Sequence, residues 1–223
     1  MIEELAPTEL SKFHPSEPRT MRFSEVREAR VSAIHLAHVD PLNQYVKGLR
    51  QSSKLEVPYF DPADGGMLAT LLILLEKPGP MTSILGRREG SGFISRDNDD
   101  PTAEHAFNFW RETGLPRQRV CMWNVIPSWN GTKKFTVEER RKGVSELEHL
   151  LSLMPSVRTI VLAGNSAQSA KEAIKSLGDI EVFESVHPSM LAKNGCHSRE
   201  GWKKIGEVWR EAGLASGAKA IAG

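Results

Sequence analysis

From Val57 onward, short apolar runs alternate with amphipathic stretches along the chain. Each run is rich in aliphatic or β-branched residues and is shorter than an ordinary helix; the runs cover residues 69–76, 119–126, 158–164 and 181–186. Strands that lie beneath helices on both faces have this composition, because neither face meets water. The pattern therefore predicts a three-layer α/β/α fold around a central four-stranded parallel sheet.

Helix start signals precede the amphipathic stretches between these runs. They are Asp100 before Pro101, Thr136 spaced as a capping box with Glu139, and Asn165 spaced likewise with Gln168. We predict a crossover helix after each signal. A last amphipathic stretch, residues 198–213, carries Trp202, Ile205 and Trp209 on one face, which predicts packing on the sheet or its edge.

The first 56 residues lack this alternation. Three prolines lie among residues 1–20, and apolar residues then recur at roughly helical spacing, at Phe23, Val26, Val31, Ile34 and Leu36. We predict a helical extension over residues 1–56, with one helix and a short second helix after Pro41, packed on an α/β domain over residues 57–214. Residues 215–223 are mostly small, which predicts a flexible tail.

Composition and charge narrow the class of protein. The chain has 223 residues, of which 39% are hydrophobic, and this excludes a disordered or collagen-like chain. It carries 29 Lys and Arg against 28 Asp and Glu, for a formal charge of +1. This balance argues against a surface coated in positive charge, so any contact with nucleic acid requires a local basic face.

Targeting and cysteine patterns indicate an intracellular protein. No stretch approaches the roughly 18 apolar residues of a membrane span, and the acidic amino terminus lacks the basic and apolar regions of a signal peptide. Two cysteines, Cys121 and Cys196, are too few for a disulfide framework, a zinc quartet or an iron–sulfur cluster. We expect a cytoplasmic protein with no structural metal, no iron–sulfur cluster and no contact with membranes.

Polar, glycine-rich and apolar loop residues follow the predicted strands. Parallel α/β sheets bind ligands at the carboxyl ends of their strands, where the strand order reverses. At these ends lie the turn Pro78-Gly79-Pro80, the amide of Asn124, and the segment His187-Pro188-Ser189 with the apolar pair Met190 and Leu191. An apolar pair in an exposed loop indicates a partner that covers it.

These segments resemble the uracil-DNA glycosylase superfamily. The matching pieces are LLEKPGP, RVCMWNVIP, TIVLAGNSA and HPSML, which occur in the family's order and cover roughly residues 57–210. The resemblance implies a monofunctional DNA N-glycosylase of base excision repair. Such an enzyme flips uracil, or a related deaminated or mismatched base, out of DNA and hydrolyses its bond to deoxyribose without a cofactor. We expect a monomer that is associated with the nucleoid when it acts on DNA.

The resemblance implies two catalytic residues. His187 has the family role of donating a hydrogen bond to the base oxygen O2 as negative charge develops there. A histidine at a strand end also occurs as a purely structural residue. Glu76 corresponds to the acidic residue of the first motif in one branch of the family, where it would position water or stabilise the cationic sugar.

Three residues are implied in binding the base. Phe93 occupies the place of the ring that stacks on uracil, although an ordinary buried anchor of a long loop has the same pattern. Asn124 can pair through its amide with N3–H and O4 of uracil, or bond to a neighbouring loop. Gly79 stands where another branch has a bulky tyrosine that excludes the thymine methyl group, so strict selectivity for uracil is not implied.

The last motif and several basic segments are implied in binding DNA. Leu191 corresponds to the family's intercalating leucine, and Met190 either supports it or packs on the following helix. Ser189 and Ser83 are candidates for phosphate contacts. Basic residues flank the same loops: Arg87, Arg88, Lys133, Lys134, Arg140, Arg141, Lys142, Lys193, Arg199, Lys203 and Lys204.

The sequence also departs from the family's pattern. Lys77 replaces the water-activating aspartate of the best-known branch, so the acid would be Glu76 or a member of the run 97–100, which is also typical of a solvated turn and helix cap. The branch with glutamate in its first motif carries a four-cysteine cluster, which places this chain in a cluster-free group. One alternative is a catalytically weak or inactive protein of the same fold that binds DNA or a base. Another is an unrelated α/β enzyme that acts on a small nucleotide.

Overall fold

Six strands form two parallel sheets in the computed structural model, which describes residues 16–86, 89–113, 115–189, 194 and 199–217. The strands are β1 (Tyr59–Phe60), β2 (Leu71–Leu75), β3 (Phe93–Ile94), β4 (Val120–Asn124), β5 (Thr159–Ala163) and β6 (Glu181–Ser185). The central sheet has the order β4–β2–β5–β6, and β1 pairs with β3 in a small second sheet. Each central strand lies inside an apolar run, so the predicted four-stranded parallel sheet is confirmed.

The burial of each strand explains its composition. Every residue of β2, β4 and β5 is buried, because neighbouring strands and helices surround them. Strand β6 lies at the edge of the sheet and exposes Glu181 and Glu184. Between the two sheets, the rings of Phe60 and Trp123 stack with their centroids 3.8 Å apart. The core is therefore one continuous cluster on both sides of the central sheet.

Eight α-helices surround the sheets in the described residues. They are α1 (Ser24–Ser32), α2 (Asp40–Ser53), α3 (Pro101–Thr113), α4 (Val137–Ser152), α5 (Asn165–Gln168), α6 (Lys171–Lys175), α7 (Arg199–Lys203) and α8 (Ile205–Ala215). Helix α3 packs against α8, and α4 against α6, which gives the two helical layers. Helix α8 buries Ile205 and Trp209 against β5 and β6, as the sequence predicts. None of the helices in the described ranges is long and apolar enough to span a membrane.

Two of the three predicted helix caps are confirmed. The Asp100 carboxylate accepts hydrogen bonds from the backbone N–H groups of Thr102 and Ala103 at 2.8 and 3.1 Å. Thr136 and Glu139 form the capping box of α4 through reciprocal bonds of 3.1 and 2.7 Å. Both caps are local, so the sequence spacing is enough to predict them.

The predicted capping box at Asn165 and Gln168 is wrong. Gly164 is the N-cap of α5, and the Gln168 amide donates to the backbone oxygen of Ser185 instead. The stretch also divides into two short helices, α5 and α6. The physical reason is that Glu76, from another strand, accepts the hydrogen bond of the Ser166 N–H at 2.9 Å and so supplies the cap.

The helix after Pro41 is longer than the predicted short helix. It begins at Asp40 and runs for 14 residues, with Leu42, Tyr45, Val46 and Leu49 buried at helical spacing. It ends at Ser53, and the left-handed backbone of the following Lys54 (φ 60°) closes the last turn. From residue 16, where the described structure begins, the chain before the α/β domain is helical, as predicted, and α2 packs it into the core cluster.

A buried cluster of six charged residues joins α1 to the loops beside the central sheet. We call it the ionic cluster; its members are Arg30, Asp61, Asp64, Arg96, Asp97 and Arg117, and their side chains are at most 2% exposed. Arg117 contacts all three carboxylates at 2.8 Å, and Arg30 contacts Asp97 at 3.0 Å. Burial acts to raise the pKa of Asp61, but Arg30 and Arg117 outweigh it and hold that pKa below its usual value.

Candidate active site

The carboxyl ends of the central strands bring three predicted site residues together at one end of the sheet. We call this end, where the strands finish, the site edge. Leu75 pairs in register with Asn124, and Glu76 follows directly beyond that pair. Strand β6 ends at Ser185, two residues before His187. The chain passes from β2 to β4 on one side and then to β5 on the other, so the strand order reverses at β2. Ligand sites of parallel α/β sheets lie at such a reversal.

Glu76 is held in place by the turn that follows β5. Its Oε1 accepts the backbone N–H of Ser166 at 2.9 Å. Gly164 makes this approach possible, because a Cβ atom there would lie 3.0 Å from the Glu76 carboxyl carbon. The backbone of Gly164 also has φ +101°, a conformation that other residues rarely adopt. The glycine of the TIVLAGNSA segment therefore positions the carboxylate.

His187 is half-buried and faces charges of both signs. Burial lowers the pKa of His187 below 6.5, the Glu76 carboxylate opposes this shift, and the Lys133 ammonium adds to it. The following turn is fixed from α3, where Nδ1 of His105 lies 3.1 Å from the backbone oxygen of Pro188. His187 is therefore neutral at neutral pH, and a neutral imidazole retains one N–H donor.

Asn124 is the last residue of β4 and is only 3% exposed. Among the hydrogen bonds of the described residues, none involves its side-chain amide. Neither amide atom is among the fully buried side-chain atoms that lack a hydrogen-bond partner in the described residues, so solvent reaches the amide. The amide is therefore available to a ligand that supplies the missing donor and acceptor, and the bond to a neighbouring loop is not seen in the described residues.

Phe93 is fully buried in β3, which lies beside β4. The Phe93 N–H donates to Ser91 Oγ at 3.0 Å, and the Asn98 amide donates to the Phe93 carbonyl at 2.9 Å. The Phe93 ring lies 6.2 Å from the ring of Tyr59, on which Arg50 stacks. A stacking platform and a loop anchor both require a fixed ring, and these contacts fix it.

The family model of the uracil DNA glycosylase superfamily matches residues 62–211. This chain belongs to that superfamily. The matched range contains all four strands of the central sheet and the edge that carries Glu76, Asn124 and His187. No curated protein gives a significant match to the sequence.

In this superfamily domain, Lys77 is a structural residue. Its side chain is 3% exposed, and its ammonium group donates to Asn130 Oδ1 at 2.9 Å, the Lys134 carbonyl at 2.9 Å and Glu139 Oε1 at 3.1 Å. Burial acts to raise the pKa of Glu139, but the Thr136 N–H and Lys77 outweigh it and lower that pKa. Lys77 stands where the best-known branch has its water-activating aspartate. In this chain that residue connects the end of β2 to the first turn of α4.

The acidic run that follows Phe93 is also engaged in structure. Asp97 belongs to the ionic cluster, and Asp100 caps α3. Asp99 lies 3.8 Å from Arg19, and the Asn98 amide bonds to the backbone of Phe93. The structural interpretation of this run is therefore favoured, and Glu76 remains the candidate for the acid.

Two residues at this edge were missed by the sequence reasoning. The Glu56 carboxylate accepts hydrogen bonds from Ser83 Oγ at 2.5 Å and from the backbone N–H of Ile84 at 2.9 Å. Lys133 is close enough to affect the pKa of both His187 and Asp100. Glu56 precedes β1 in an irregular segment without a motif, so no local signal indicated it, whereas Lys133 was grouped only with other basic residues.

Of the remaining predicted residues, some lie in the described structure and others lie outside it. Gly79 lies in the loop after β2, where an added Cβ atom would meet no atom within 4 Å, so a larger side chain has room there. Ser189 is half-buried and ends the turn His187-Pro188-Ser189, which we call the HPS turn. Met190, Leu191 and Lys193 lie outside the described residues, as do Arg87 and Arg88.

Proposed function

We propose that the protein is a monofunctional DNA glycosylase that flips uracil, or a related deaminated or mismatched base, and hydrolyses its bond to deoxyribose. The observation that carries the proposal is the juxtaposition of Glu76 and His187, which interact electrostatically, at the edge that also carries the buried amide of Asn124. Membership of the superfamily supports DNA as the substrate class. The enzyme would act as a monomer in base excision repair, in the cytoplasm at the nucleoid.

Asn124 and Phe93 would bind the flipped base. The amide presents a carbonyl oxygen and an NH2 group, which match the N3–H donor and the O4 acceptor of uracil. Since no hydrogen bond of the described residues uses the amide and solvent reaches it, both its donor and its acceptor are open to a base. Phe93 is 1% exposed, so its ring would offer an aromatic face for the base only after the side chains that cover it move aside.

His187 would stabilise the departing base. As the bond between C1′ and the base nitrogen breaks, its electron pair moves onto the base and negative charge develops at O2. The N–H of the neutral imidazole would donate a hydrogen bond to that oxygen. Burial supports this role, because the lowered pKa of His187 keeps the ring neutral at neutral pH.

Glu76 would act on the sugar and the attacking water. The sugar passes through an oxocarbenium-like state, a water oxygen then forms the new bond to C1′, and the proton that this water loses neutralises the departing base anion. A carboxylate held by the Ser166 N–H can orient that water or stabilise the cationic sugar. Gly79 lines the same edge without a side chain, so a base with an additional methyl group is not sterically excluded there.

DNA would be held by the loops at this edge. Leu191 would fill the space left by the flipped base, with Met190 beside it, while Ser189 and Lys193 would contact the backbone. Lys133 is exposed and close to His187, so it would provide positive charge beside the site. These contacts position the duplex without reading its sequence.

A substrate panel tests the proposal. Labelled oligonucleotides with uracil, with thymine opposite guanine, with hypoxanthine or with xanthine are incubated with the protein, and abasic sites are then cleaved with alkali. We expect cleavage of at least one substrate, and its loss in Asn124→Ala. His35→Ala, at an exposed site beside α2, is the matched control and should retain wild-type activity. Intact cleavage by Asn124→Ala would reject the proposed site.

A second candidate function is a protein of the same fold that binds DNA or a flipped base without hydrolysis. The observation that favours it is Lys77, whose ammonium is engaged by Glu139 and Asn130, so this position supplies no water-activating acid. Binding to the panel without cleavage of any substrate would support this candidate and contradict the glycosylase.

A further inference from the structure

Ile84 and Leu85 form an exposed apolar tip on the loop that follows β2. Ile84 is 58% exposed and Leu85 is 81% exposed. Adjacent large aliphatic side chains at this exposure leave much apolar surface in water, where each would gain about 1.5–3 kcal/mol on full burial. Nothing in the proposed chemistry of Glu76, Asn124 and His187 uses them.

The apolar tip is held in a defined conformation. The Glu56 carboxylate accepts hydrogen bonds from Ser83 Oγ at 2.5 Å and from the N–H groups of Ile84 and Leu85 at 2.9 and 3.4 Å. The loop is closed below the tip by a bond of 2.8 Å from the Gly90 N–H to the Ser83 carbonyl. Such a carboxylate is a strong acceptor, so the loop pays little additional entropy when it binds a partner.

The tip lies beside the proposed base pocket. Thr82 Oγ1 donates to the Gly79 carbonyl at 2.8 Å, which connects the loop to the first motif. On its other side, the Ile84 Cγ2 atom lies 3.2 Å from the position of a Cβ atom at Gly92, the residue before Phe93. The tip therefore lies in the connection between Gly79 and β3, with Ile84 next to Gly92.

The loop that carries the tip and the HPS turn both leave the carboxyl ends of central strands. The tip follows β2, and the HPS turn follows β6, which is two strands away in the central sheet. Neighbouring strands lie about 4.8 Å apart, so the two loops start roughly 10 Å from one another. A duplex whose base enters the pocket between them would meet both loops.

We propose that Ile84 and Leu85 form a second DNA-contacting element, which packs against the bases or sugars that flank the flipped nucleotide. This inference rests on the proposed DNA glycosylase function. The partner is DNA rather than a protein, because the tip belongs to the same loop as Gly79 in a chain of a superfamily that acts on DNA, and because Lys133 supplies positive charge beside His187 at the carboxyl ends of the same strands. The contact requires stacked duplex on both sides of the lesion, so single strands use it less.

The test measures the affinity of Leu85→Ala for duplex and single-stranded oligonucleotides that carry non-hydrolysable 2′-fluorodeoxyuridine. We expect affinity for the duplex to fall about tenfold, the loss of most of one buried leucine, and affinity for the single strand to change much less. Leu214→Ala is the matched control, since Leu214 is 64% exposed in α8, and it should bind as the wild type does. Glu56→Gln should weaken duplex binding in the same direction, because it removes the charge that fixes the tip.

The outcomes separate this proposal from the function on which it rests. If the wild type cleaves a substrate of the panel and Leu85→Ala binds duplex as tightly as the wild type, the tip proposal is overturned and the enzyme remains. If no substrate is cleaved but Leu85→Ala loses duplex affinity, the tip stands and the glycosylase fails. If Leu85→Ala only dissociates a dimer, with DNA affinity unchanged, the tip binds a second copy of the chain and the proposal is wrong.

Discussion

The ionic cluster and the sheet edge use similar residue types in opposite ways. In the cluster, each of three buried carboxylates lies within 3.2 Å of at least one arginine. At the edge, Glu76 accepts a single backbone N–H in the described structure, and His187 has a lowered pKa instead of a bonded counterion. The cluster charges face one another, so removing one of them leaves buried charges unpaired and destabilises the fold, whereas the groups at the carboxyl ends of the strands are available to a ligand. The contacts of a polar group therefore indicate its role better than its burial does.

The largest predicted effect is on the ionic cluster. Arg117→Met removes the guanidinium that contacts Asp61, Asp64 and Asp97 at 2.8 Å. Unpaired buried charges cost about 3–5 kcal/mol, so we expect the free energy of unfolding in urea to fall by about that amount. Arg119→Met, an exposed position in the same short turn, should change it little. Equal stability of the two variants would show that the cluster is not structural.

At the site edge, we expect a substitution to lower the cleavage rate rather than the free energy of unfolding. His187→Ala removes the donor proposed for O2 of the departing base, and the loss of one such donor lowers kcat by about 10²- to 10³-fold. We expect the free energy of unfolding to change much less than in Arg117→Met, because His187 is only half-buried. Single-turnover cleavage and urea unfolding of the same preparation measure both quantities. A large loss of stability with unchanged cleavage would assign His187 to the fold.

Lys77→Met should give an intermediate effect. The substitution removes hydrogen bonds to Asn130 Oδ1, the Lys134 carbonyl and Glu139 Oε1. Asn130 and Lys134 are exposed and regain water, so the loss is that of the bonds made by the charged donor, and we expect about 1–3 kcal/mol in urea unfolding. Hydrogen exchange should localise the change to the first turn of α4. A loss of cleavage without a loss of stability would give Lys77 a catalytic role instead.

The pH dependence gives the smallest effect. Burial lowers the pKa of His187 below 6.5, so in the window between the two pKa values the unfolded chain binds more protons than the folded protein. The contribution of His187 to stability therefore rises with pH through that window and is constant above about 6.5. Cleavage should rise with pH over the same window, because the neutral ring of His187 is the proposed donor. Lys133→Ala should move this rise to slightly higher pH, because it removes a cation near His187. If the same rise persists in His187→Ala, it belongs to another group.

The fold was largely predictable, because the signals for it are local. Continuous aliphatic runs indicate strands buried on both faces, and spacing alone predicts the capping box of Thr136 and Glu139. The capping box at Asn165 failed because Glu76, 90 residues away from Ser166, caps that helix. No local pattern contains such a contact.

The candidate site was predictable only through its motifs. Asp97 and Glu76 both follow short strands, and the sequence gives no means of distinguishing their roles. Arg30, 67 residues from Asp97, assigns that carboxylate to the ionic cluster. The role of Glu56 in holding Ser83 likewise depends on a contact across 27 residues. Residue roles that depend on distant partners become visible only in the folded structure.

The most direct test of the account is the single-turnover rate at which Glu76→Gln cleaves a uracil-containing duplex. Glutamine keeps a carbonyl oxygen for the Ser166 N–H, so the turn after β5 should be preserved while the negative charge is lost. We expect a rate at least about 10²-fold below that of the wild type, with an unchanged free energy of unfolding. A wild-type rate in Glu76→Gln would contradict the claim that this edge of the sheet is the catalytic site.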